Sequence, residues 1–325
     1  MILVTGGAGY IGSHCVRELL DIGNEVIVLD NLSTGYLEAI DQRAKFYEVD
    51  LNDKDSLIEV FNSNKIEGVI HFAAFSLVGE SMEKPFKYYR NNLAGMITLL
   101  ECMKEYSVKR IVFSSSAAVY GEHTDMPITE EYDTLPTNVY GETKLAMEKM
   151  IQWAKEAYGL EYVALRYFNV AGAHKSGMIG EAHNPETHLI PLVMQVPLGR
   201  RESISIFGDD YNTPDGTCIR DYIHISDLVE AHILAYNYTE NNSGIFNLGS
   251  EDGFSVKEII ENVENITERS IKKVIGQRRA GDPAMLIASS QKARDVLGWK
   301  RRYGIEDIIS SAWKFHQMNP DGYQK

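Results

Sequence analysis

The chain has 325 residues, 44% of them hydrophobic, enough for a full core and for two domains. A formal net charge of −14 argues against nucleic acid or an anionic membrane surface as a partner. No run approaches the roughly 20 apolar residues of a membrane span, and the chain opens on a strand rather than a signal peptide. Cys15, Cys102 and Cys218 are scattered thiols without C-x-x-C spacing, so a cytoplasmic protein with free cysteines is expected.

Ile2-Leu3-Val4 reads as a buried strand and Cys15 to Leu20 as the body of a helix, with Thr5-Gly6-Gly7-Ala8-Gly9-Tyr10-Ile11-Gly12 between them. Glycines at such a junction permit a tight turn and let the backbone approach a pyrophosphate, while the helix N-terminus adds N–H donors and a favourable dipole. The spacing is Gly6-x-x-Gly9-x-x-Gly12 rather than G-x-G-x-x-G, so taken alone the run also suits an ordinary strand-to-helix turn. Glu25 to Asp30 supplies a second apolar strand ending in a carboxylate 18 residues after Gly12. An acid there accepts both ribose hydroxyls and repels a 2′-phosphate, so the expected cofactor is NAD rather than NADP. Asn31, Leu32, Ser33, Thr34 and Gly35 follow as a polar turn suited to wrap the adenosine.

Further strands are read at Lys45–Asp50, Gly68–Ala74, Lys109–Ser116 and Tyr162–Asn169, with helical segments between them. Crossover connections imply an α/β fold, a doubly wound parallel sheet of Rossmann type. Ligands bind such sheets at the carboxyl ends of the strands, where Asp30, Asp50, Ala73, Ala74, Ser116 and Asn169 all fall. After Asn169 the pattern turns loop-like, with a short strand at Ile204–Phe207, a helix at Ala231–Tyr238 and a buried strand at Gly244–Gly249. Amphipathic helices at Val256–Glu268 and Ile305–Gln317 close the chain. The expected division is an NAD-binding domain over 1–170, to which 221–249 returns, and a smaller mixed α/β substrate-binding domain over 171–325.

Tyr140 and Lys144 are four residues apart on a helical segment, Tyr140 to Tyr158, and share one face. A free tyrosine, with a pKa near 10, is too weakly acidic to serve as a base at neutral pH. A nearby ammonium, with the positive charge of an oxidised nicotinamide, stabilises the phenolate. Ser116, at a strand end beside the cofactor, can bond the same substrate hydroxyl. Alone, Tyr-x-x-x-Lys suits an exposed helix; behind Ser114-Ser115-Ser116 in a dinucleotide fold, it points to redox chemistry on an alcohol.

With these motifs the chain resembles the extended short-chain dehydrogenases/reductases, and within them the UDP-glucose (UDP-galactose) 4-epimerases. Matching stretches run over nearly the whole length: Thr5–Gly12, Leu29–Asn31, His71–Ala73, Tyr88–Asn92, Phe113–Gly121, Tyr140–Lys144, Leu165–Asn169, Ile206–Tyr211, Arg220–His224 and Arg278–Asp282. The resemblance implies that Tyr140 moves the proton of the sugar 4′-hydroxyl, Lys144 tunes Tyr140 and holds the nicotinamide ribose, and Ser116 orients the hydroxyl. It implies an NAD site of Gly6, Gly9, Tyr10, Ile11, Gly12, Asp30 to Gly35, Asp50, Leu51, Phe72, Ala73, Ala74, Ser76, Asn91 and Phe168. It implies a UDP-sugar site of Asn169, His188, Leu189, Phe207, Arg220, Tyr222, Arg279, Asp282 and Leu286, with UDP-glucose and UDP-galactose as substrates. Local guanidiniums suit an acidic protein that holds a diphosphate.

Some family members carry a lysine where this chain has Ser76, and others an Asn-Asn-Leu where it has Thr187-His188-Leu189. A 4,6-dehydratase would need an acid and a base after the serine-rich strand, and Ser116-Ala117-Ala118-Val119-Tyr120 has no carboxylate. A UDP-glucuronate epimerase or decarboxylase, or a UDP-N-acetylglucosamine epimerase, would differ only in the sugar pocket. A catalytically silent NAD-sensing protein is the rival of another class, and the joint presence of Ser116, Tyr140 and Lys144 argues against it. A homodimer is expected from the resemblance, through helices at Pro85–Tyr106 and Tyr140–Tyr158 whose apolar residues spread over more than one face. No metal is expected, because His183 and His188 lack a third ligand at useful spacing.

Overall fold

Apolar runs buried on both faces build the centre of the molecule. The computed structural model describes residues 1–279 and 282–323; Ala280 and Gly281 of the Arg278–Asp282 block lie outside the described residues. Six strands, β1 (Ile2–Thr5), β2 (Val26–Asp30), β3 (Lys45–Glu48), β4 (Gly68–His71), β5 (Arg110–Ser114) and β6 (Glu161–Tyr167), join the strand Gly244–Leu248 in one sheet. Every pairing is parallel, and the order is Gly244–Leu248, β6, β5, β4, β1, β2, β3. The chain thus winds outward from β1 in both directions, and the switch point lies between β1 and β4, where Ile2 pairs with both Val26 and Gly68. A crevice opens beyond the carboxyl ends at such a point.

Strand residues of alternating parity feed two cores. Ile2, Val4, Val28 and Val112 pack against helix α1 (Tyr10–Asp21) and the helix Ile225–Tyr238. Leu3, Ile27, Val69 and Phe113 face the opposite layer, with Leu57, Leu99, Met147 and Ile151 from the helices Lys54–Asn62, Gly95–Glu105 and Val139–Tyr158. A third core, including Ile190, Ile206, Ile260 and Trp313, holds the segments that cover the crevice.

The expected strands at 45–50, 68–74, 109–116 and 162–169 all overrun the sheet, which ends at Glu48, His71, Ser114 and Tyr167. The reason is common to the four: past these residues the backbone leaves its neighbours and lines the crevice. Asn169–Ala171 leaves to pair instead with Tyr222–His224. The Pro85–Tyr106 segment is also not one regular helix. Its turns widen to π spacing over Tyr89–Ala94, a distortion frequent at functional sites. Buried Asn92 there accepts from Phe75 N at 2.9 Å and donates to Thr143 Oγ1 at 3.0 Å, tying the crevice wall to the helix of Tyr140.

Candidate active site

The glycine loop is bare because side chains cannot fit. Gly6 has φ +72°, and a Cβ on it would lie 2.6 Å from Ala73 N; one on Gly12 would lie 2.1 Å from Gly6 O. The backbone of β1, the first turn of α1 and the end of β4 are therefore packed atom to atom, leaving N–H groups facing the crevice at a helix N-terminus. Asp30 is nearly buried at the end of β2 and accepts from Ala8 N at 3.0 Å and Leu32 N at 2.9 Å. Burial pushes its carboxyl up, against those two N–H groups. Asn31 reaches across to Asp50 Oδ2 at 2.8 Å, joining the ends of β2 and β3. This cradle fits a dinucleotide: bare backbone for the pyrophosphate, and an acid one strand away for a ribose.

Ser116 and Tyr140 meet through a second close approach. Ser116 Oγ accepts from Ala118 N at 3.1 Å and starts the turn Ala117–Val119. Asn138 caps the Val139–Tyr158 helix, accepting from Gly141 N at 2.8 Å. A Cβ on Gly141 would lie 2.4 Å from Ala118 O, so glycine after Tyr140 lets the first helical turn rest on the serine turn. Lys144 is buried, and its Nζ donates to Ser114 O at 2.8 Å while lying 5.8 Å from the Tyr140 ring centre.

The electrostatics differ from the expectation that Lys144 brings Tyr140 down. Burial pushes the Tyr140 phenol up, and the Ser116 hydroxyl is what lowers it. Burial lowers Lys144 to about 7, with the Glu148 carboxylate pulling the other way. Lys144 is thus only partly charged near neutrality, and the protein by itself holds Tyr140 as a phenol.

Glu148, one turn beyond Lys144, was not visible as a site residue in the sequence. It is 1% exposed, Arg166 on β6 is 5% exposed, and the guanidinium meets both carboxylate oxygens, at 3.0 and 2.6 Å. Ser115 Oγ donates to the same carboxylate at 2.5 Å. One side chain thereby fixes the tyrosine–lysine helix to β5 and β6.

A cavity of about 840 Å³ runs across the carboxyl ends of the strands. It gathers Gly6, Gly9, Tyr10, Ile11, Gly12, Asp30, Asn31, Ser33, Thr34, Asp50, Leu51, Phe72, Ala73, Ala74, Ser76 and Asn91 with Ser116, Tyr140, Lys144 and Phe168. On its far side stand Asn169, His188, Arg220, Asp282 and Leu286. Leu32, Gly35, Leu189, Phe207, Tyr222 and Arg279 do not line it. Leu32 has φ +52° and turns the chain, Gly35 packs on Ala8, and Tyr222 is buried in its strand. The Arg279 guanidinium sits 4.1 Å over the half-exposed Phe207 ring. Arg220 Nη2 donates to Asp282 Oδ1 at 2.5 Å, so this guanidinium is already held by a carboxylate.

The wall also contains Ala117, Ala118, Tyr167 and Glu181, which were not read as site residues, and His183, which was weighed only as a metal ligand. The expectation that His183 and His188 have no further ligand does not hold. The loop folds so that Glu181 and Glu186 join them, with one ligand atom from each residue within 4.8 Å of all the others. Although burial lowers both imidazoles, the two carboxylates beside them raise His183 to about 9 and His188 to about 10. The same contacts hold Glu186 well below the usual carboxylate range despite its burial.

Residues 2–249 match the model of the NAD dependent epimerase/dehydratase family. The chain belongs to this family. It is 55% identical to a UDP-glucose 4-epimerase of Lacticaseibacillus casei, over 99% of this chain and 98% of that one. It is 56% identical to a UDP-glucose 4-epimerase of Halalkalibacterium halodurans, over 99% and 97%. A crystal structure of a UDP-glucose 4-epimerase, 57% identical, has a TM-score of 0.98 and covers 100% of this chain and 99% of its own. The UDP-glucose 4-epimerase of Bifidobacterium longum in complex with NAD+ and UDP is 40% identical, with a TM-score of 0.94 and 99% of each chain covered.

Proposed function

We propose that this protein interconverts UDP-glucose and UDP-galactose at sugar C4, with tightly held NAD and no net redox change. The observation that carries this reading is the convergence of Ser116, Tyr140 and Lys144 in a single cavity, between the Gly6–Gly12 cradle and Arg220, Asp282 and Leu286. NAD, when bound, accepts a hydride from the sugar and gives it back to the opposite face of the same carbon. Tyr140 takes the 4′-hydroxyl proton and returns it, and Ser116 orients that hydroxyl. Lys144, wedged between Ser114 O and the Tyr140 ring, supplies positive charge where the phenolate forms. Arg220, on the cavity wall, holds the diphosphate once the nucleotide competes with Asp282, and Arg279 reaches it only by leaving the Phe207 ring. The sugar is free to turn between two presentations because the strong contacts are spent on the nucleotide. Asp30 selects NAD over its 2′-phosphorylated form.

A homodimer belongs to the same reading. Phe86 and Trp153, on the Pro85–Tyr88 and Val139–Tyr158 helices, are 75% and 72% exposed, and a second copy covering them would remove two large apolar side chains from water. A cytoplasmic location fits Cys15, Cys102 and Cys218, which are all buried and unpaired. Among the described residues no helix is long and apolar enough to cross a membrane. The test is to denature the purified protein, identify the released nucleotide, and in parallel incubate native protein with UDP-galactose without added cofactor. Recovered NAD and accumulating UDP-glucose are expected; NADP alone, or absolute dependence on an external reductant, would refute the reading.

A further inference from the structure

The segment between Gly180 and the helix Leu189–Met194 carries four side chains that converge without a covalent or backbone reason to do so. Glu181 and Glu186 are buried, with side chains 4% and 9% exposed. Among the described residues, no lysine or arginine forms an ion pair with either carboxylate; their ion-pair partners are His183 and His188. His183 Nδ1 lies 3.4 Å from Glu181 Oε1 and 3.5 Å from Glu186 Oε2. His188 Nδ1 lies 2.9 Å from Glu181 Oε1 and 3.1 Å from Glu186 Oε1.

These separations have a recognisable scale. An ion bound tetrahedrally at about 2.0–2.1 Å from each ligand holds its ligand atoms about 3.3–3.4 Å apart. The nitrogen–oxygen distances straddle that value through the same nitrogen of each imidazole and both oxygens of Glu186. With one ligand atom from each residue the set lies within 4.8 Å, so the loop draws in slightly to close on an ion. His183 Nδ1 is also buried and makes no hydrogen bond, although oxygens of two different carboxylates stand within ion-pair distance. A nitrogen placed between two carboxylates and bonded to neither is aimed at the space they enclose. The frame around that space is stiff: Glu186 Oε1 accepts from Thr187 N at 2.8 Å and His188 N at 2.9 Å, fixing that carboxylate as outer contacts fix metal ligands. Once an ion displaces the imidazole protons, two carboxylates and two neutral imidazoles carry a charge of −2, which one divalent ion cancels.

We propose that Glu181, His183, Glu186 and His188 form a four-ligand site for a divalent transition-metal ion of the zinc class. Imidazole and carboxylate together suit zinc and its neighbours, whereas calcium and magnesium take oxygen ligands in larger number. With all four positions supplied by the chain, the site is closed and structural rather than hydrolytic. It pins the 181–188 loop against α1, where the His183 ring meets the Tyr10 ring edge-on at 6.2 Å between centres. Tyr10 in turn donates to Gly172 O at 2.6 Å, so the ion would lock the loop, the cofactor helix and the start of the substrate segment together at the cavity wall. Nδ1 of His188 belongs to the ion, which leaves Nε2 to carry the ring's N–H.

The full-length protein, stripped with a chelator and desalted, is titrated with cobalt(II) and separately dialysed against zinc. The site predicts about one ion per chain by elemental analysis and the intense visible bands of tetrahedral cobalt. It also predicts a higher melting temperature with zinc present. His183→Gln and Glu186→Gln, each checked for native circular dichroism, should lose the bands and the zinc-dependent rise. Weak octahedral bands, no stoichiometric ion in the wild-type chain, or equal binding in a folded His183→Gln protein would overturn the proposal. Because the wild-type cobalt spectrum decides the geometry by itself, a variant that fails to fold does not leave the question open. None of these readouts depends on turnover, so their failure is separable from failure of the epimerase reading.

Discussion

Replacing Glu148 by glutamine tests the account of how the reactive helix is held. The substitution keeps the shape and one oxygen for Ser115, but leaves the Arg166 guanidinium charged, 5% exposed and without its carboxylate. Removing one partner of a buried pair typically costs about 3–5 kcal/mol, mostly as desolvation of the charge left behind. With an unfolding entropy of roughly 2.1 cal/mol/K per residue, a chain of this length loses about 0.7 kcal/mol per degree, so the melting temperature should fall by about 4–7 °C. Scanning calorimetry of nucleotide-matched samples reads this directly. Glu148→Leu combined with Arg166→Met removes both charges and should recover much of the loss. A second readout follows from Lys144, which burial lowers to about 7 even with the Glu148 carboxylate holding it up. Without that carboxylate less of Lys144 is cationic at neutral pH, so the variant's activity relative to wild type should improve as pH falls from about 8 to 6. A fall of less than about 1 °C, or a double variant that loses the sum of two separate single losses, would refute the coupling.

Tyr140→Phe removes only the phenolic oxygen, so folding and nucleotide content should survive while kcat drops by roughly 100-fold or more; near-native turnover would place the base elsewhere. Ser116→Ala removes the hydroxyl that lowers Tyr140, so the phenolate forms at higher pH and the rising limb of the kcat profile should move alkaline. A limb that stays or moves acid would contradict the contact. Leu286, whose strand pairs with the one carrying Arg220, lines the far side of the cavity, the proposed sugar end. Good activity is expected on UDP-glucose and UDP-galactose, with weaker activity on the N-acetylhexosamine pair, since an acetamido group with unmet hydrogen bonds costs about 1–3 kcal/mol for each. Leu286→Tyr should abolish the second activity selectively; equal loss on both pairs would show that Leu286 is not the gate.

The parallel sheet was legible because Ile2–Val4, Val26–Leu29 and Ile111–Phe113 are apolar on both faces, a pattern that only a covered sheet accommodates. The proposed reaction centre was legible because Ser116, Tyr140 and Lys144 sit at strand-end and i, i+4 positions that a sequence displays. What escaped were contacts made by tertiary closure. Glu148 and Arg166 look like two ordinary charges on a helix and a strand, and only their shared burial makes them a pair. Asn92 acquires its place from a π-spaced turn that no hydrophobic period announces. The Glu181–His188 loop has neither helical nor strand periodicity, so nothing in its spacing reveals that the four side chains converge. Strand ends were overread for the opposite reason: Val49, Phe72 and Ala73 continue the apolar pattern, and Ser115 and Ser116 the serine run, after the hydrogen-bonded ladder has stopped.

The central claim is that one hydride leaves and returns to the same carbon while Tyr140 shuttles the proton. UDP-galactose deuterated at sugar C4, incubated with purified protein in ordinary water and no added cofactor, tests it directly. The account predicts UDP-glucose that keeps its deuterium at C4, read by mass spectrometry and proton NMR. Loss of the label to solvent during conversion would contradict it.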